Sequence, residues 1–96
     1  MKYPTVYLLA SRPQGALYIG VTSDLVSRLE AHRSGQVEGF SRSYGIYTLV
    51  WYEPHPDMES AIRREKALKK WRRDWKVRLI EAYNPQWRDL IDELGP

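Results

Sequence analysis

The sequence contains no cysteine among its 96 residues, and this absence removes several classes of protein at once. A chain without thiols forms no disulfide scaffold, no cysteine-ligated zinc finger and no thiol nucleophile. The absence fits a reducing compartment. We expect a cytoplasmic protein, because no long apolar run follows the first charged residue as it would in a secretory signal. No stretch approaches the ~20 apolar residues of a membrane span, so no membrane partner is expected.

The residues that are present exclude a disordered chain. Hydrophobic residues make up 43% of the sequence and aromatic residues 12%, which is too rich for a segment without a core. Since one domain usually takes roughly 100–200 residues, we expect residues 1–96 to form a single domain. The sequence has neither an internal repeat nor a low-complexity tract.

Basic side chains are concentrated in one segment, although the net charge of the whole chain is only +3. Residues 60–80 carry nine basic and two acidic side chains, a net of +7, whereas residues 1–59 and 81–96 are net acidic. Clustered lysine and arginine attract phosphate and release its counterions, which favours nucleic-acid binding. The alternative is a solvated helix face, but two acids are too few to neutralise nine bases.

The pattern of apolar and turn-forming residues predicts the element order β-β-α-β-α-α. Runs of β-branched and aromatic residues predict strands over Tyr3–Ala10, Ala16–Val21 and Tyr44–Glu53. Residues 11–15 include Pro and Gly, so the first two strands are expected to form a hairpin. We therefore expect an α/β (α+β) fold in which helices cover a small sheet.

Each predicted helix follows a residue that can cap its first turn. The first helix is expected after residues 22–24, ending near Gly35 before a loop over residues 36–43. The second is expected after Asp57 and the third after Asp74. A last short amphipathic piece carries four apolar residues: Trp87, Leu90, Ile91 and Leu94.

Glu65 lies on the apolar stripe of the second predicted helix, between Ile62 and Leu68. A carboxylate directed at a core needs a partner, because an unpaired buried charge is costly. One partner would be an arginine in a salt bridge. The other would be a hard divalent cation such as Mg²⁺, which favours carboxylate oxygen. The residues alone leave both interpretations open.

Arg28 and His32 are four residues apart on the first predicted helix and therefore share a face with Leu25 and Leu29. That apolar face should turn toward the sheet. The pair is either a snorkelling arginine with a hydrogen-bonded histidine, or a phosphate clamp with a proton-handling group.

Tyr7 lies on the first predicted strand and Tyr18 on the second, so the hairpin can bring the two rings together in a register that the sequence does not fix. A strand tyrosine usually packs in the core with its hydroxyl at the edge. As a base, tyrosine is handicapped by a pKa of about 10, which a nearby arginine or metal-bound water would lower.

Taken in order, these residues resemble the GIY-YIG nuclease superfamily. The first name-giving motif corresponds to Thr5-Val6-Tyr7 and the second to Tyr18-Ile19-Gly20. The helix around Arg28 and His32 is similar to the arginine helix of the superfamily, and Glu65 matches its glutamate. Four further segments resemble the small stand-alone bacterial members of the YhbQ type: residues 40–44, 49–53, 69–71 and 84–90.

The resemblance implies a three-stranded antiparallel sheet flanked by helices, and metal-dependent cleavage of DNA phosphodiester bonds. Glu65 would hold one divalent metal, Mg²⁺ or Mn²⁺. Arg28 would stabilise charge on the scissile phosphate. Tyr18 would activate or position water with Tyr7 alongside, while His32 would support this cluster or share the proton transfer.

One departure from the superfamily pattern concerns the chemistry. Val21 follows Tyr18-Ile19-Gly20 at a position where several superfamily nucleases place a lysine. The substitution removes one group that could assist the water or lower a tyrosine pKa.

The expected substrate is single-stranded, branched or damaged DNA in repair or processing, with RNA open as an alternative, because no sequence-reading element is present. Trp71 and Trp75 lie among the basic residues and could stack on bases, although at least one is expected to pack in the core. Six basic residues are expected to contact phosphates: Arg42, Lys66, Lys69, Lys70, Arg72 and Arg73.

Two other functions stay open at this point. The chain could be a nucleic-acid-binding module with weak or no catalysis, or an adaptor whose basic helix docks on an acidic protein. Salt-sensitive binding without turnover would indicate the first, and absence of DNA binding at low salt the second.

Overall fold

A computed structural model of the chain describes residues 3–34 and 45–94. Its elements are the strands β1 (Thr5–Ala10), β2 (Leu17–Thr22) and β3 (Thr48–Pro54), and the helices α1 (Leu25–Arg33), α2 (Met58–Lys70) and α3 (Arg73–Tyr83), followed by a 3₁₀ helix (Leu90–Leu94). The predicted α+β class and the order β-β-α-β-α-α are confirmed. Within the described part of the chain, no helix is long and apolar enough to cross a membrane.

The three strands form an antiparallel sheet in the order β2-β1-β3, as the resemblance implied. All six residues of β1 are buried. Helices cover both faces of this central strand, which explains why it reads as a continuous apolar run rather than as an alternating one. The register places Tyr7 opposite Gly20 on β2 and opposite Tyr52 on β3.

The sheet separates two hydrophobic clusters. One face packs Val6, Leu8 and Ala10 against α2 and α3. The other face packs Tyr7 and Leu9 against α1 and the 3₁₀ helix. Because successive strand residues point to opposite faces, adjacent positions of β1 belong to different clusters. Tyr7 therefore belongs to the layer that α1 covers.

Side-chain caps begin two of the helices where the sequence predicted them. The Asp24 carboxylate accepts a hydrogen bond from the Ser27 backbone N–H at 3.4 Å, and Asp57 accepts one from the Ser60 N–H at 2.7 Å. The expected cap at Asp74 is wrong. Helix α3 already begins at Arg73, after an extended Arg72 that provides no side-chain cap.

The third strand starts later than the sequence predicted. Tyr44 lies outside the described residues, and the described part of β3 begins at Thr48 instead. Gly45 adopts a φ of 63°, and Ile46 is fully buried in the α1-side cluster. Ile46 therefore joins the core from the turn, before β3 begins. Gly35 and the predicted loop over residues 36–43 also lie outside the described residues.

Asn84 holds the end of α3 against the sheet. Its side chain is buried and donates to the carbonyls of Val50, at 3.2 Å, and Arg88, at 2.8 Å. Its amide oxygen accepts from the Arg88 N–H at 3.1 Å. The turn that follows places Trp87 at a φ of 57° and buries its ring, with the indole N–H donating to Glu81.

Candidate active site

Tyr7 occupies the centre of the site because Gly20 leaves room for its ring. The two residues are opposite each other on β1 and β2. A Cβ atom on Gly20 would lie 2.4 Å from both Cζ and the hydroxyl oxygen of Tyr7. Tyr7 is only 1% exposed, so its ring is fixed between the bare backbone of β2 and helix α1.

Tyr7, Tyr18 and His32 form a compact aromatic cluster under α1. The Tyr7 hydroxyl lies 3.2 Å from Nε2 of His32 in a buried hydrogen bond. The Tyr18 and His32 rings meet edge to face with centroids 5.2 Å apart, and the two tyrosine rings are 6.4 Å apart. The register thus resolves what the sequence left open, since both tyrosines project from the same face of the hairpin.

Helix α1 brings Arg28 to the same cluster. Leu25, Leu29 and His32 are its buried residues, which confirms that this face turns toward the sheet. The Tyr7 hydroxyl raises the pKa of Arg28, partly opposed by burial, and Tyr18 adds to the rise. Arg28 therefore stays cationic beside both hydroxyl groups.

Two buried nitrogen atoms in this cluster have no hydrogen-bond partner among the described residues: Nε of Arg28 and Nδ1 of His32. A buried polar atom without a partner carries a desolvation cost, so such atoms are uncommon and a catalytic role is one explanation for them. Both atoms belong to residues that the sequence singled out for phosphate and proton handling.

Burial and charge set the protonation of the cluster. Burial raises the pKa of Tyr7, with the Arg28 interaction opposing it and the charges of Tyr18 and Glu65 adding to the rise. Burial lowers the pKa of His32, and the Arg28 charge lowers it further. At neutral pH the site therefore holds a protonated Tyr7, a neutral His32 and one guanidinium cation.

Glu65 reaches this site from α2, the helix on the other face of the sheet. Its charge acts on Tyr7, yet its direct partner is Lys69, whose Nζ lies 2.8 Å from Oε2. The Glu65 side chain is only 12% exposed. The salt bridge that the sequence suggested is therefore present, although its cation is a lysine one turn later and not an arginine.

The donor set around Glu65 fits an ion that brings most of its own ligands. No group of three or more His, Asp or Glu side chains that could hold a metal is found in residues 3–34 and 45–94. Among these residues Glu65 therefore belongs to no closed cage of protein ligands. A single carboxylate completed by water and substrate phosphate is how Mg²⁺ is commonly bound.

The predicted phosphate-binding residues differ in how free their charges are. Lys66 and Lys70 are exposed and have no ion pair with any described residue. Lys69 is paired with Glu65, and Arg72 with Asp74 at 3.2 Å. Arg73 donates to the carbonyls of Gln14 and Gly15 and so anchors α3 to the β1–β2 turn. Arg42 lies outside the described residues.

Comparison with known proteins identifies the family. The family described as the GIY-YIG catalytic domain matches residues 3–78 of the chain. The chain belongs to the GIY-YIG family. GIY-YIG domains form a nuclease superfamily, so the match indicates nuclease-type chemistry on a nucleic-acid substrate.

Relatives within the GIY-YIG family carry the UPF0213 name. A UPF0213 protein of Xanthomonas axonopodis pv. citri (strain 306) is 36% identical over 77 residues, covering 80% of this chain and 74% of the relative. One from Pectobacterium carotovorum subsp. carotovorum (strain PC1) is 33% identical over 95 residues, covering 98% and 95%. The solution NMR structure of a UPF0213 protein from Bacillus halodurans has a TM-score of 0.56 and 28% identity, covering 93% and 94%.

The structure gives a physical reason for the glycine in the second GIY-YIG motif. Sequence reasoning used Gly20 only as part of a motif, whereas the structure shows that its missing side chain holds the space of the Tyr7 ring. Only the strand register reveals this, since the two residues are 13 positions apart. The departure at Val21 also has a structural reason, because Val21 packs against the cluster on the α2 face.

A second polar cluster was not predicted from the sequence. The Glu53 carboxylate is 2.7 Å from Nε2 of His55 and 3.2 Å from Nε of Arg64. The Arg64 guanidinium in turn lies over the Trp71 ring, 5.2 Å from its centroid. These contacts join the end of β3 to α2 at the residue that precedes Glu65. In the sequence, the only signal for these contacts is the presence of the charged residues.

Proposed function

We propose that this chain is a divalent-metal-dependent endonuclease that hydrolyses DNA phosphodiester bonds with low sequence specificity. Its preferred substrates are single-stranded, branched or damaged DNA, as in repair or processing. The observation that carries the proposal is the partly exposed guanidinium of Arg28 beside the cluster of Tyr7, Tyr18 and His32. A guanidinium held in this way can donate hydrogen bonds to a phosphate.

Arg28 binds the scissile phosphate in this mechanism. Arg28 is partly exposed, so a phosphate oxygen would meet a cation whose pKa the neighbouring hydroxyls already raise. Guanidinium–phosphate contacts are strong because the planar donors match the phosphate oxygens. As charge grows on the phosphate during attack, a cation fixed beforehand stabilises it without reorganising.

The aromatic cluster handles the proton. Tyr18 is half-buried whereas Tyr7 is fully buried, so Tyr18 is the tyrosine that positions or activates the attacking water. Tyr7 stays protonated because burial raises its pKa, so it acts as a donor rather than as a base. His32 is neutral and can accept a proton through Nε2, which faces the Tyr7 hydroxyl.

Glu65 would hold the metal through its carboxylate. When bound, an Mg²⁺ or Mn²⁺ ion supplies Lewis-acid stabilisation of the phosphate and a more acidic water. Lys69 would orient the Glu65 carboxylate through their 2.8 Å ion pair before the metal arrives. Lys66 and Lys70, one turn apart on the same helix, guide the backbone of the strand toward the site.

Replacing Glu65 tests the proposal directly. Glu65→Gln keeps the shape and removes the charge, so we expect cleavage of single-stranded DNA with Mg²⁺ or Mn²⁺ to fall at least about 100-fold. The matched control is Glu59→Gln on the same helix, whose side chain is 82% exposed and which should keep full activity. Both variants should show the wild-type circular dichroism spectrum. Full cleavage by a folded Glu65→Gln protein would refute the proposal.

A binding module without turnover is the second candidate. The observation in its favour is the Lys69 ion pair, which engages one oxygen of the proposed metal ligand. This function requires salt-sensitive DNA binding and no cleavage across single-stranded, duplex, flap and RNA substrates. Cleavage of any of them that depends on Glu65 decides against it.

A further inference from the structure

Two tryptophans form an open corner where α2 passes into α3. Trp71 is the C-cap residue that directly follows α2, and Trp75 lies in the first turn of α3. Their rings meet edge to face, with an interplanar angle of 85° and centroids 5.9 Å apart. Together with Arg78 and Leu79 they line a cavity of about 370 Å³, which we call the tryptophan corner.

The two rings differ in how deeply they are buried. Trp71 is half-buried and packs against the cluster on the α2 face, as expected for at least one of the tryptophans. Trp75 is 45% exposed. The corner thus has a rigid inner ring and an outer ring that presents aromatic surface to solvent. A cavity of this size lies at the lower end of the range for small-ligand sites, roughly 300–1,000 Å³.

Cations surround the corner. The Arg72 guanidinium lies 5.0 Å from the Trp75 centroid, and Arg64 lies over Trp71. Arg78 lines the cavity and has neither an ion pair nor a side-chain hydrogen bond with any described residue. An aromatic surface with an unpaired arginine at its rim matches a base attached to a phosphate, since the ring stacks and the cation meets the phosphodiester.

We propose that the tryptophan corner is a stacking subsite that holds one unpaired base of a single-stranded nucleic acid. This inference rests on the proposed function and adds to it the feature that selects unpaired strands. A base within a duplex is stacked on its neighbours and cannot enter the corner. The subsite therefore discriminates by strandedness and not by sequence, because every base has an aromatic face.

The position of the corner sets how far the held base lies from the cut. Trp71 follows Glu65 by six residues at the end of α2, so the two are separated by roughly 9 Å along the helix axis. At a spacing of roughly 3.4 Å per stacked nucleotide, this distance corresponds to two or three nucleotides. Lys66 and Lys70 lie between the two positions along the helix.

Binding measured without metal tests the subsite independently of cleavage. The probe is a fluorescein-labelled twelve-residue oligothymidylate, titrated in EDTA and followed by fluorescence anisotropy. Stacking on an aromatic side chain contributes about 1–3 kcal/mol per base, so Trp75→Ala should weaken binding about 5- to 150-fold. Trp75→Phe keeps an aromatic face and should stay within about threefold of wild type.

Three controls make the result specific. Tyr3→Ala removes another exposed aromatic ring, 61% exposed and outside the corner, and should leave affinity unchanged. A duplex of the same length should bind wild type and Trp75→Ala equally. An oligonucleotide of the same length in which every residue is abasic should bind wild type and Trp75→Ala equally weakly. Unchanged single-strand affinity in Trp75→Ala, or an equal loss on duplex, would overturn the subsite and leave the corner as a protein-contact surface.

The binding and cleavage experiments test the two proposals separately. If Trp75→Ala loses single-strand affinity while wild type cuts nothing, the subsite stands and the nuclease proposal falls. If wild type cuts through Glu65 while Trp75→Ala binds and cuts normally, the nuclease proposal stands and the subsite falls.

Discussion

At the scale of single residues, adding one methyl group at Gly20 is expected to destabilise the fold. Gly20→Ala places a methyl group 2.4 Å from the Tyr7 ring, and β1 leaves that ring no room to move. We expect the free energy of unfolding to fall by about 1–3 kcal/mol, as for other overpacked cores. Urea denaturation measures the loss.

A double variant shows whether the ring is the cause. Removing the ring with Tyr7→Leu should make Gly20→Ala nearly neutral in that background, since the clash is with ring atoms. An equal loss in both backgrounds would place the cost in the backbone of β2 instead.

His32 makes stability depend on pH in a defined direction. Burial and the Arg28 charge hold its pKa below 6.5 in the native state, while the unfolded chain keeps the ordinary value. The unfolded state therefore binds more protons once the pH falls below about 6.5, and acid favours unfolding. We expect the free energy of unfolding to drop between about pH 7.5 and about pH 5.5, and to drop less in His32→Gln.

Urea titrations of both proteins at the two pH values give this difference. The other histidine, His55, is present in both, so its contribution cancels. A pH dependence that is identical in wild type and His32→Gln would contradict the assignment.

Sequence reasoning reached Tyr7, Tyr18, Arg28 and Glu65 because their chemistry is unusual for the positions they occupy. The structure brings all of these except Glu65 into one aromatic layer and lets the charge of Glu65 act on Tyr7. The sequence did not show which residue forms a hydrogen bond or ion pair with each of these side chains. Helical spacing places Lys69 on the same face as Glu65, but the sequence does not show whether an arginine from another element reaches the carboxylate instead, and the fold decides for Lys69.

At the scale of elements, Asn84 joins α3 to the sheet through buried hydrogen bonds. Asn84→Ala leaves the carbonyls of Val50 and Arg88 without their donor and the Arg88 N–H without its acceptor. We expect a loss of about 1–3 kcal/mol in the free energy of unfolding. Gln86→Ala, in the same turn but exposed, should change it by less than about 0.5 kcal/mol. Equal unfolding midpoints for the two variants would refute this role.

The elements were predictable wherever one local signal controlled them. Asp57 begins α2 because its carboxylate caps the Ser60 N–H, and the apolar run of β1 gave a strand. The start of α3 was not predictable in this way. Asp74 pairs with Arg72 inside the first turn, where an acid is favourable without being the cap. Trp87 has a left-handed backbone and a buried ring, and no sequence pattern predicts that φ for a tryptophan.

At the scale of the whole molecule, the uneven charge governs how binding responds to salt. Lys66 and Lys70 are exposed and unpaired with any described residue, so each is available for one phosphate. For single strands the logarithm of the affinity falls with that of the salt concentration by about 0.7 per phosphate neutralised. We expect the double variant Lys66→Gln, Lys70→Gln to reduce this slope by about 1.4.

Anisotropy titrations at several salt concentrations, in EDTA, measure the slope. The control is Arg12→Gln, which removes an exposed charge from the β1–β2 turn, outside the basic segment. Its slope should match that of wild type. A slope in the lysine variant equal to wild type would show that these two lysines do not contact the strand.

The two layers on either side of the sheet have a consequence for how a new copy of the protein is made. Tyr7, Tyr18, Arg28 and His32 all belong to the hairpin and α1, whereas Glu65 lies on α2, which follows β3 in the chain. During translation, the four residues of the proposed phosphate-binding half therefore leave the ribosome before Glu65 does. A chain that has not yet exposed Glu65 lacks the group that we assign to the metal, so the proposed cutting waits for α2.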